Sequence, residues 1–524
     1  MGIKKLTAGW GYDYLTRQVA AMDSSEKGHT SLASYYYTEK GETPGVWVGR
    51  GMAGIEGLDA GDVVSEEQMK ALFGAGYHPL TKERLAALPP EAEAKDFANA
   101  TNLGNPFPIY SPDVSPFRME VAKRFADYNL SIGNAATAAV PRGERGRIRT
   151  QVAREFFLAE FGRDPLDARE LAGLVARLSR PKTTAVCGFD LTFSPVKLVS
   201  TLWALADPST AALIERAHQK AMAGALTYIE DHALFTRLGA GGVRQVNVRG
   251  LVAAAFTHRD SRASDPDLHT HVAVANKVQT NEGRWLSIDG RVLFKATVAA
   301  SETYNTALER YLAADLGLAF ESRAGTEGKR FVREVVGVNA ELIERWSSRR
   351  RSIEARASEL AEDFQQTHGR TPTAVEMTNL ADQALAETRQ AKHSPRALAD
   401  QRRAWRAQAE AVLGGAQAVG RMVAAALHPS ATRAALPNRQ WYRNTARQII
   451  VTVEAERSVW QYWHVHAEAK RIVRTTGLHP DQLERAADWL TRTALDTHAV
   501  AISRPAAVEE PEELRRADGS SVYT

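Results

Sequence analysis

A single cysteine, Cys187, stands among 524 residues. One thiol can form no internal disulfide and no cysteine-rich zinc site, so neither a disulfide-stapled scaffold nor a zinc ribbon fits the chain. No run of about eighteen apolar residues occurs, so no membrane-spanning helix is written into it. The opening residues, MGIKKLTAGWGYDY, lack the apolar core of a secretory signal. The phosphate-cradling pattern G-x-x-x-x-G-K-[ST] is missing too, which excludes a P-loop nucleotide site from these residues. Charge of either sign is not in excess. The 66 Lys and Arg against 62 Asp and Glu leave a net charge of +4, which permits a nucleic-acid partner without arguing for one. Together these absences suggest a cytosolic protein.

The chain is too long for one ordinary compact domain, and two or three are expected. Five of its 14 tyrosines, Tyr12, Tyr14, Tyr35, Tyr36 and Tyr37, fall in the first 50 residues. The segment TAGWGYDYLTRQVAAMD predicts a helix that carries Tyr12, Leu15 and Val19 on one stripe, with Tyr14 beside it. Residues 87–116, rich in proline and asparagine, predict a long loop. The stretch VPRGERGRIRT carries Arg142, Arg145, Arg147 and Arg149; it is either a solvated charge run or a phosphate-contacting arm. Helical periodicity follows over 150–180. FDLTFS then alternates as a half-buried strand, with Asp190, Thr192 and Ser194 on one face and Leu191 and Phe193 on the other. A long helix is expected over 208–236 and a hairpin turn at Gly239–Gly242. Strands are expected in VRGLVAAAFTHR and LHTHVAVANKVQ, and GRWLSIDGRVLF reads as strand–turn–strand. A helix through Tyr304 and Tyr311 comes next. Beyond a boundary near 330–336, strand signals give way to Ala/Arg/Glu-rich helices up to about 500.

The densest chemistry lies in HRDSRASDPDLHTH, which holds His258, His269 and His271. On a strand, side chains at i and i+2 point the same way. His269 and His271 therefore project together, beside Ala273 and Ala275, while Leu268, Thr270, Val272 and Val274 take the core side. Asp265-Pro266 is a turn signal, and an antiparallel return would bring His258 alongside the other two. Three neutral imidazoles on one face make a divalent-metal site with open positions, suited to Lewis-acid work on a phosphate or carbonyl oxygen. The small alanines leave room for a sizeable ligand. His464-Val465-His466 has the same spacing, but in a helical stretch, where i and i+2 diverge by roughly 200°. That pair is read as packing or surface histidine.

A hydrolase would add a water-activating group, for which Asp190, Asp260, Asp265 and Asp267 are available. The early tyrosines suggest another route. Phenol is a poor nucleophile at its free pKa of about 10. A polarised phosphodiester and a nearby base would make its attack feasible and leave a phosphotyrosine ester.

FTHRDSRASDPDLHTHVAVANKVQ, FDLTFSPVKLVS and the early GYDYLTRQ and SYYYTEKGETPGVWVGRG strongly resemble the MobF-class conjugative relaxases, the TrwC/TraI-like branch of the HUH endonucleases. The likeness covers roughly 1–335 and continues more loosely through the later helices. It implies an α+β fold: an antiparallel five-stranded HUH sheet covered by helices, followed by an all-helical region. The expected division is a relaxase domain over 1–335 with an insertion within 60–180, a helical accessory region over 336–505, and a polar tail over 506–524 that ends before a further helicase module.

The family's activity is nicking of one strand at a plasmid transfer origin, covalent retention of the 5′ end, passage through a type IV secretion channel, and rejoining. By the resemblance, His258, His269 and His271 would hold Mg²⁺ or Mn²⁺, with Zn²⁺ as an alternative. Asp190 would orient a histidine and help accept the tyrosine proton. Tyr12 or Tyr14 would make the first nick, and Tyr36 or Tyr37 the second transfer. Arg142, Arg145, Arg147, Arg149, Lys197 and Arg262 are candidates for DNA contact, as is the Arg349–Arg351 run. Trp47, Trp285 and Trp346 either stack on bases or pack in the core. Implied partners are single-stranded and hairpin origin DNA, a type IV coupling protein and secretion system, and relaxosome accessory proteins. No membrane insertion is implied. The site would work in the donor cytoplasm, and the protein would then travel with the strand. The sequence departs from the family pattern where Asp13 separates Tyr12 from Tyr14, where a tyrosine triplet replaces a pair, and in FSPVKLVS. Competing readings are a rolling-circle replication initiator, a non-covalent three-histidine metallohydrolase, and a DNA-binding module with structural histidines.

Overall fold

The computed structural model describes residues 1–8, 44–108, 116–136, 138, 140–179, 185–323, 330–388, 396–430, 435–500, 515 and 521–522. The chain falls into two compact units, Met1–Pro106 with Val186–Thr524, and Phe107–Ala185.

The first unit is built on a five-stranded antiparallel sheet. Its strands are β1 (Gly2–Thr7), β2 (Val46–Val48), β3 (Val186–Phe193), β4 (Ala253–Asp260) and β5 (Pro266–Ala275), in the spatial order β1-β3-β5-β4-β2. The fold class is therefore α+β, with the five-stranded sheet the sequence predicts. β5 is central because it can be buried on both sides. Leu268, Thr270, Val272 and Val274 face a core shared with Leu191 and Phe193 of β3.

That core is closed by two long helices, Pro208–His232 and Thr297–Leu316. The first starts where Asp207 accepts from the N–H groups of Ser209 and Thr210 and Pro208 fills the first turn, an arrangement that satisfies orphan donors. The other face of the sheet is partly covered by α1 (Glu66–Met69) and the turn that continues it to Ala75, whose Phe73 packs against Gly188. Burial on both faces is why β3 is not the half-exposed strand its alternation suggests; Asp190 itself is only 3% exposed.

Beyond the hairpin Phe320–Arg323/Val332–Val335, all described regular structure is helical apart from an isolated bridge between Arg515 and Ser521. Lys197–Leu205 is α2, the two long helices are α3 (Pro208–His232) and α4 (Thr297–Leu316), and after the hairpin come α5 (Ser348–His368), α6 (Leu398–Leu413), α7 (Arg439–Glu456), α8 (Tyr462–Val473) and α9 (Leu483–His498). Trp346, Trp405, Val419 and Met422 from this region belong to the same core cluster as the sheet, and Trp47 and Trp346 are fully buried, so packing is their role. α7, α8 and α9 form a smaller cluster around Ile449, Val465 and Leu490. No described helix is long and apolar enough to cross a membrane.

Two local expectations fail. The loop expected over 87–116 contains a helix, Ala94–Thr101, because Glu93 and Asp96 form a reciprocal capping box. The second strand expected in GRWLSIDGRVLF is a helix, Gly290–Lys295, and only Trp285–Leu286 is strand.

The second unit is three helices, Pro116–Ser131, Arg142–Phe161 and Ala168–Ser179, around Phe117, Val121, Ile148, Val152, Phe157 and Leu174. Its 79 residues hold thirteen Lys and Arg against nine Asp and Glu, so it accounts for the whole net charge of the chain. The stretch Arg142–Arg149 is the first two turns of a 20-residue helix, which begins earlier than the apolar periodicity indicates. Arg147 pairs with Glu144 at 2.8 Å, while Arg145 and Arg149 are exposed.

Candidate metal centre

The histidine hairpin is β4 followed by β5. His258 registers opposite His269, and Phe256 opposite His271, so all three imidazoles lie on one face of the sheet. Their ring centroids are 5.1, 5.3 and 5.2 Å apart pairwise, with His258 and His269 stacked and His271 edge-on to both. A register shift between His258 and Asp260 bends β4 just past the first histidine, a common device for aiming a side chain next to a site.

The partners of the rings assign their tautomers. His271 Nδ1–H donates to Asp190, whose two carboxylate oxygens both lie at 2.9 Å. Thr192 Oγ1 stands 3.3 Å from the same nitrogen. His269 Nδ1–H donates to the Asp267 carbonyl at 2.7 Å. With Nδ1 taken by these acceptors, Nε2 is the nitrogen each ring has to offer a cation. Burial pushes the His269 imidazole below the ordinary histidine range, with His271 adding to the effect and Asp267 opposing it. It is therefore neutral near pH 7. Three imidazoles whose ring centroids lie 5.1 to 5.3 Å apart, two of them held from behind by oxygen acceptors, are a ligand set that fits a divalent cation.

Asp190 reaches the histidines because Asp190 and Thr192 on β3 register opposite Ala273 and His271 on β5. On its other side Asp190 registers opposite Lys4 of β1, which is exposed. Lys4 was not singled out from the sequence; only the sheet order reveals it. Lys197 heads α2 and donates to the Pro266 carbonyl at 2.6 Å, so it braces the start of β5. Arg262 sits half-buried in the β4–β5 turn. Tyr12, Tyr14, Tyr36 and Tyr37, and the side chain of Arg142, lie outside the described residues. The alanines do not open the site as expected. Ala273 and Ala275 are fully buried, and Gly188, which registers opposite Ala275, lies against Phe73.

Behind the histidines runs a polar chain that sequence reasoning missed. Gln219 Nε2 donates to Thr257 at 2.9 Å, Thr257 and Thr270 hydroxyls meet at 2.9 Å, and Thr270 lies 2.8 Å from His218 Nε2. His218 Nδ1 lies 2.8 Å from the Tyr304 hydroxyl. Each hydroxyl can both donate and accept, so Thr257, Thr270 and Tyr304 can satisfy both ring nitrogens of His218 whichever of them carries the proton. Burial holds His218 neutral, with its pKa down to about 3. The signal was available: Thr270 is a lone hydroxyl in an otherwise apolar stripe, and a buried hydroxyl needs a partner.

The helical pair diverges as expected. His464 Nδ1 accepts from the Gln461 N–H, while His466 is buried with Nδ1 3.1 Å from Thr491 Oγ1. His466, Glu484 and Asp488 have donor atoms within 4.8 Å of one another, but the buried Lys470 ammonium already pairs with Glu484 there.

A model of the TrwC relaxase family matches residues 8–412. Two curated proteins of Escherichia coli, each named multifunctional conjugation protein TraI, are similar to it. One is 36% identical over 175 residues, covering 32% of this chain and 9% of that protein. The other, from strain K12, is 39% identical over 101 residues, covering 19% and 6%. The alignments thus span under a tenth of the length of these relatives. Among solved structures, conjugative relaxase TrwC in complex with oriT DNA aligns at 20% identity and a TM-score of 0.42, over 78% of this chain and 98% of that one. A metal-bound structure of that complex aligns at 22% identity and a TM-score of 0.36, over 56% and 96%.

Proposed function

The chain belongs to the TrwC relaxase family, and from that premise we propose that it is a metal-dependent, strand-specific DNA transesterase that nicks a plasmid transfer origin and rejoins the strand. The observation that carries the reading is the convergence of His258, His269 and His271, with Asp190 behind His271.

His258, His269 and His271 would hold the cation, Mg²⁺ or Mn²⁺ with Zn²⁺ as an alternative, and when bound it would draw charge from a non-bridging oxygen of the scissile phosphate. Asp190 keeps a proton on His271 Nδ1 and so fixes that ring's orientation. Tyr12 or Tyr14 attacks phosphorus. The tyrosine O–P bond forms as the bond from phosphorus to the 3′ oxygen breaks. The phenol proton passes to a base, for which Asp190 is the candidate, and the departing 3′ oxygen gains a proton. Tyr36 or Tyr37 serves a second transfer. One phosphodiester replaces another, so the strand can be rejoined without nucleotide hydrolysis. Lys4, beside Asp190, and Arg145 and Arg149 on the second unit are candidates for backbone phosphate contacts.

Residues 1–335 would carry the chemistry. The partners would be single-stranded and hairpin origin DNA, a type IV coupling protein and secretion system, and relaxosome accessory proteins. The protein would act in the donor cytoplasm and travel with the strand.

The test is incubation of the full chain with a labelled single strand spanning the cognate origin and Mn²⁺, followed by denaturing electrophoresis. A covalent 5′ adduct lost in tyrosine-to-phenylalanine variants supports the proposal. Cleavage with free ends would favour a metallohydrolase, and binding without cleavage a DNA-binding module.

A further inference from the structure

Between the histidines the chain turns through residues 261–265. The turn is tied internally: Ser261 N–H donates to the Asp265 carbonyl at 2.9 Å, Ser264 N–H to the Ser261 carbonyl at 2.8 Å, and Asp265 N–H to Ser261 Oγ at 3.2 Å. Among the described residues, Ser264 is the one non-glycine with a positive φ, 64°. A left-handed serine is uncommon and persists where its surroundings hold it.

Those surroundings come from the helices beyond residue 335. Trp405 Nε1–H donates to the Ser264 carbonyl at 2.8 Å, and Arg396 donates to Ser264 Oγ. Gln401 Nε2–H donates to Asp260 at 2.8 Å, where β4 ends. Ser348 donates from its backbone N–H and hydroxyl to the two oxygens of the buried Asp265 carboxylate, at 3.0 and 3.2 Å. α6 is itself fixed. Arg402 donates to the carbonyls of Trp203 and Ala206, and Arg406 to that of Leu205, capping the C-terminal end of α2. At its other end α2 carries Lys197 on the Pro266 carbonyl. The turn is thus gripped from α5 and α6, and through α2 the same helix steadies the first residue of β5.

We infer that Ser348, Arg396, Gln401 and Trp405 form a clamp that positions the histidine hairpin, so that the helices after residue 335 support the metal site and are not a spacer behind it. His258 lies two residues before the gripped Asp260, and His269 four residues after the gripped Asp265. A hinge there would move His258 relative to His269 and His271, and a metal site tolerates only a fraction of an ångström of such movement. The inference rests on the metal-site reading above. These four are positioning residues: they act through their hydrogen bonds to Asp260, Ser264 and Asp265.

The experiment compares the full chain with its Gln401→Ala/Trp405→Phe variant by Mn²⁺ titration without DNA, read by electron paramagnetic resonance, alongside thermal unfolding. Ile449→Val, in the α7–α9 cluster, is the packing control. The clamp variant is expected to bind Mn²⁺ about tenfold more weakly, on the scale of losses when ligand-supporting contacts are removed. The control should lose Tm without losing affinity. If the double variant does not fold, Gln401→Ala and Ser348→Ala taken singly should each still weaken binding by about threefold. A folded variant with wild-type affinity overturns the clamp and leaves the metal site standing. A wild-type chain that takes up no Mn²⁺ at the hairpin overturns both.

Discussion

His271 and Asp190, 81 residues apart in sequence, meet with the imidazole Nδ1–H 2.9 Å from each carboxylate oxygen. The carboxylate fixes the orientation of the ring. Asp190→Ala removes that support, and a drop of about 10–100-fold in Mn²⁺ affinity is expected with the fold intact. Asp190→Asn keeps one acceptor oxygen and should fall between wild type and alanine. Metal titration of the three proteins checks the order; equal affinities would remove Asp190 from the site.

Thr270 shares its strand with His269 and His271 but points the other way, into the chain that ends at Tyr304. Thr270→Val leaves His218 Nε2 without its hydrogen-bond partner in a buried place, at a cost of about 1–3 kcal/mol. Thr270→Ser should retain most of the stability. Denaturant unfolding of both variants tests this, and a valine variant as stable as wild type would show that the chain contributes nothing.

His466 gives the fold a pH dependence. Burial, with Lys470 and His232 adding to it, holds its pKa down to about 3, against an unfolded value near 6.5. Between those values the unfolded chain binds the proton and the folded chain does not, so stability falls as pH drops through that window. The groups facing it are Tyr228, His232, Tyr462, Lys470, Glu484, Asp488 and Thr491. Asp488, raised by burial, works in the opposite sense as pH rises above the ordinary carboxylate range. His466→Gln isolates the histidine: the slope of stability against pH between 4 and 6 should flatten. An unchanged slope would mean the histidine charges in place.

Arg145 and Arg149 stand four residues apart on an exposed helical stretch. If they contact single-stranded DNA, replacing both by alanine should lessen the slope of log affinity against log salt by about 1.4. Fluorescence anisotropy from low to moderate salt measures it, and an unaltered slope assigns them to solvent.

How much was legible follows from the range of each signal. The hairpin could be read because i, i+2 spacing and an Asp-Pro turn are local, and the structure has that strand pair in register. The five-stranded sheet was readable through the family likeness of FDLTFS and DLHTH. The helix at Ala94–Thr101 was missed because a capping box built on Glu93 and Asp96 is weaker in sequence than the prolines flanking it. The alanines beside the histidines looked like open space because nothing local places Phe73 over Gly188. The chain through His218 joins residues 52 and 86 positions apart, and the grip of Ser348 and Trp405 on the turn joins residues 83 and 141 apart. Such contacts exist only once the helices are packed.

The most direct test is anomalous diffraction from crystals of the full chain grown with Mn²⁺. The expected result is one strong peak enclosed by His258, His269 and His271, within bonding distance of all three. A peak only among His466, Glu484 and Asp488, or none at the hairpin, would contradict the assignment.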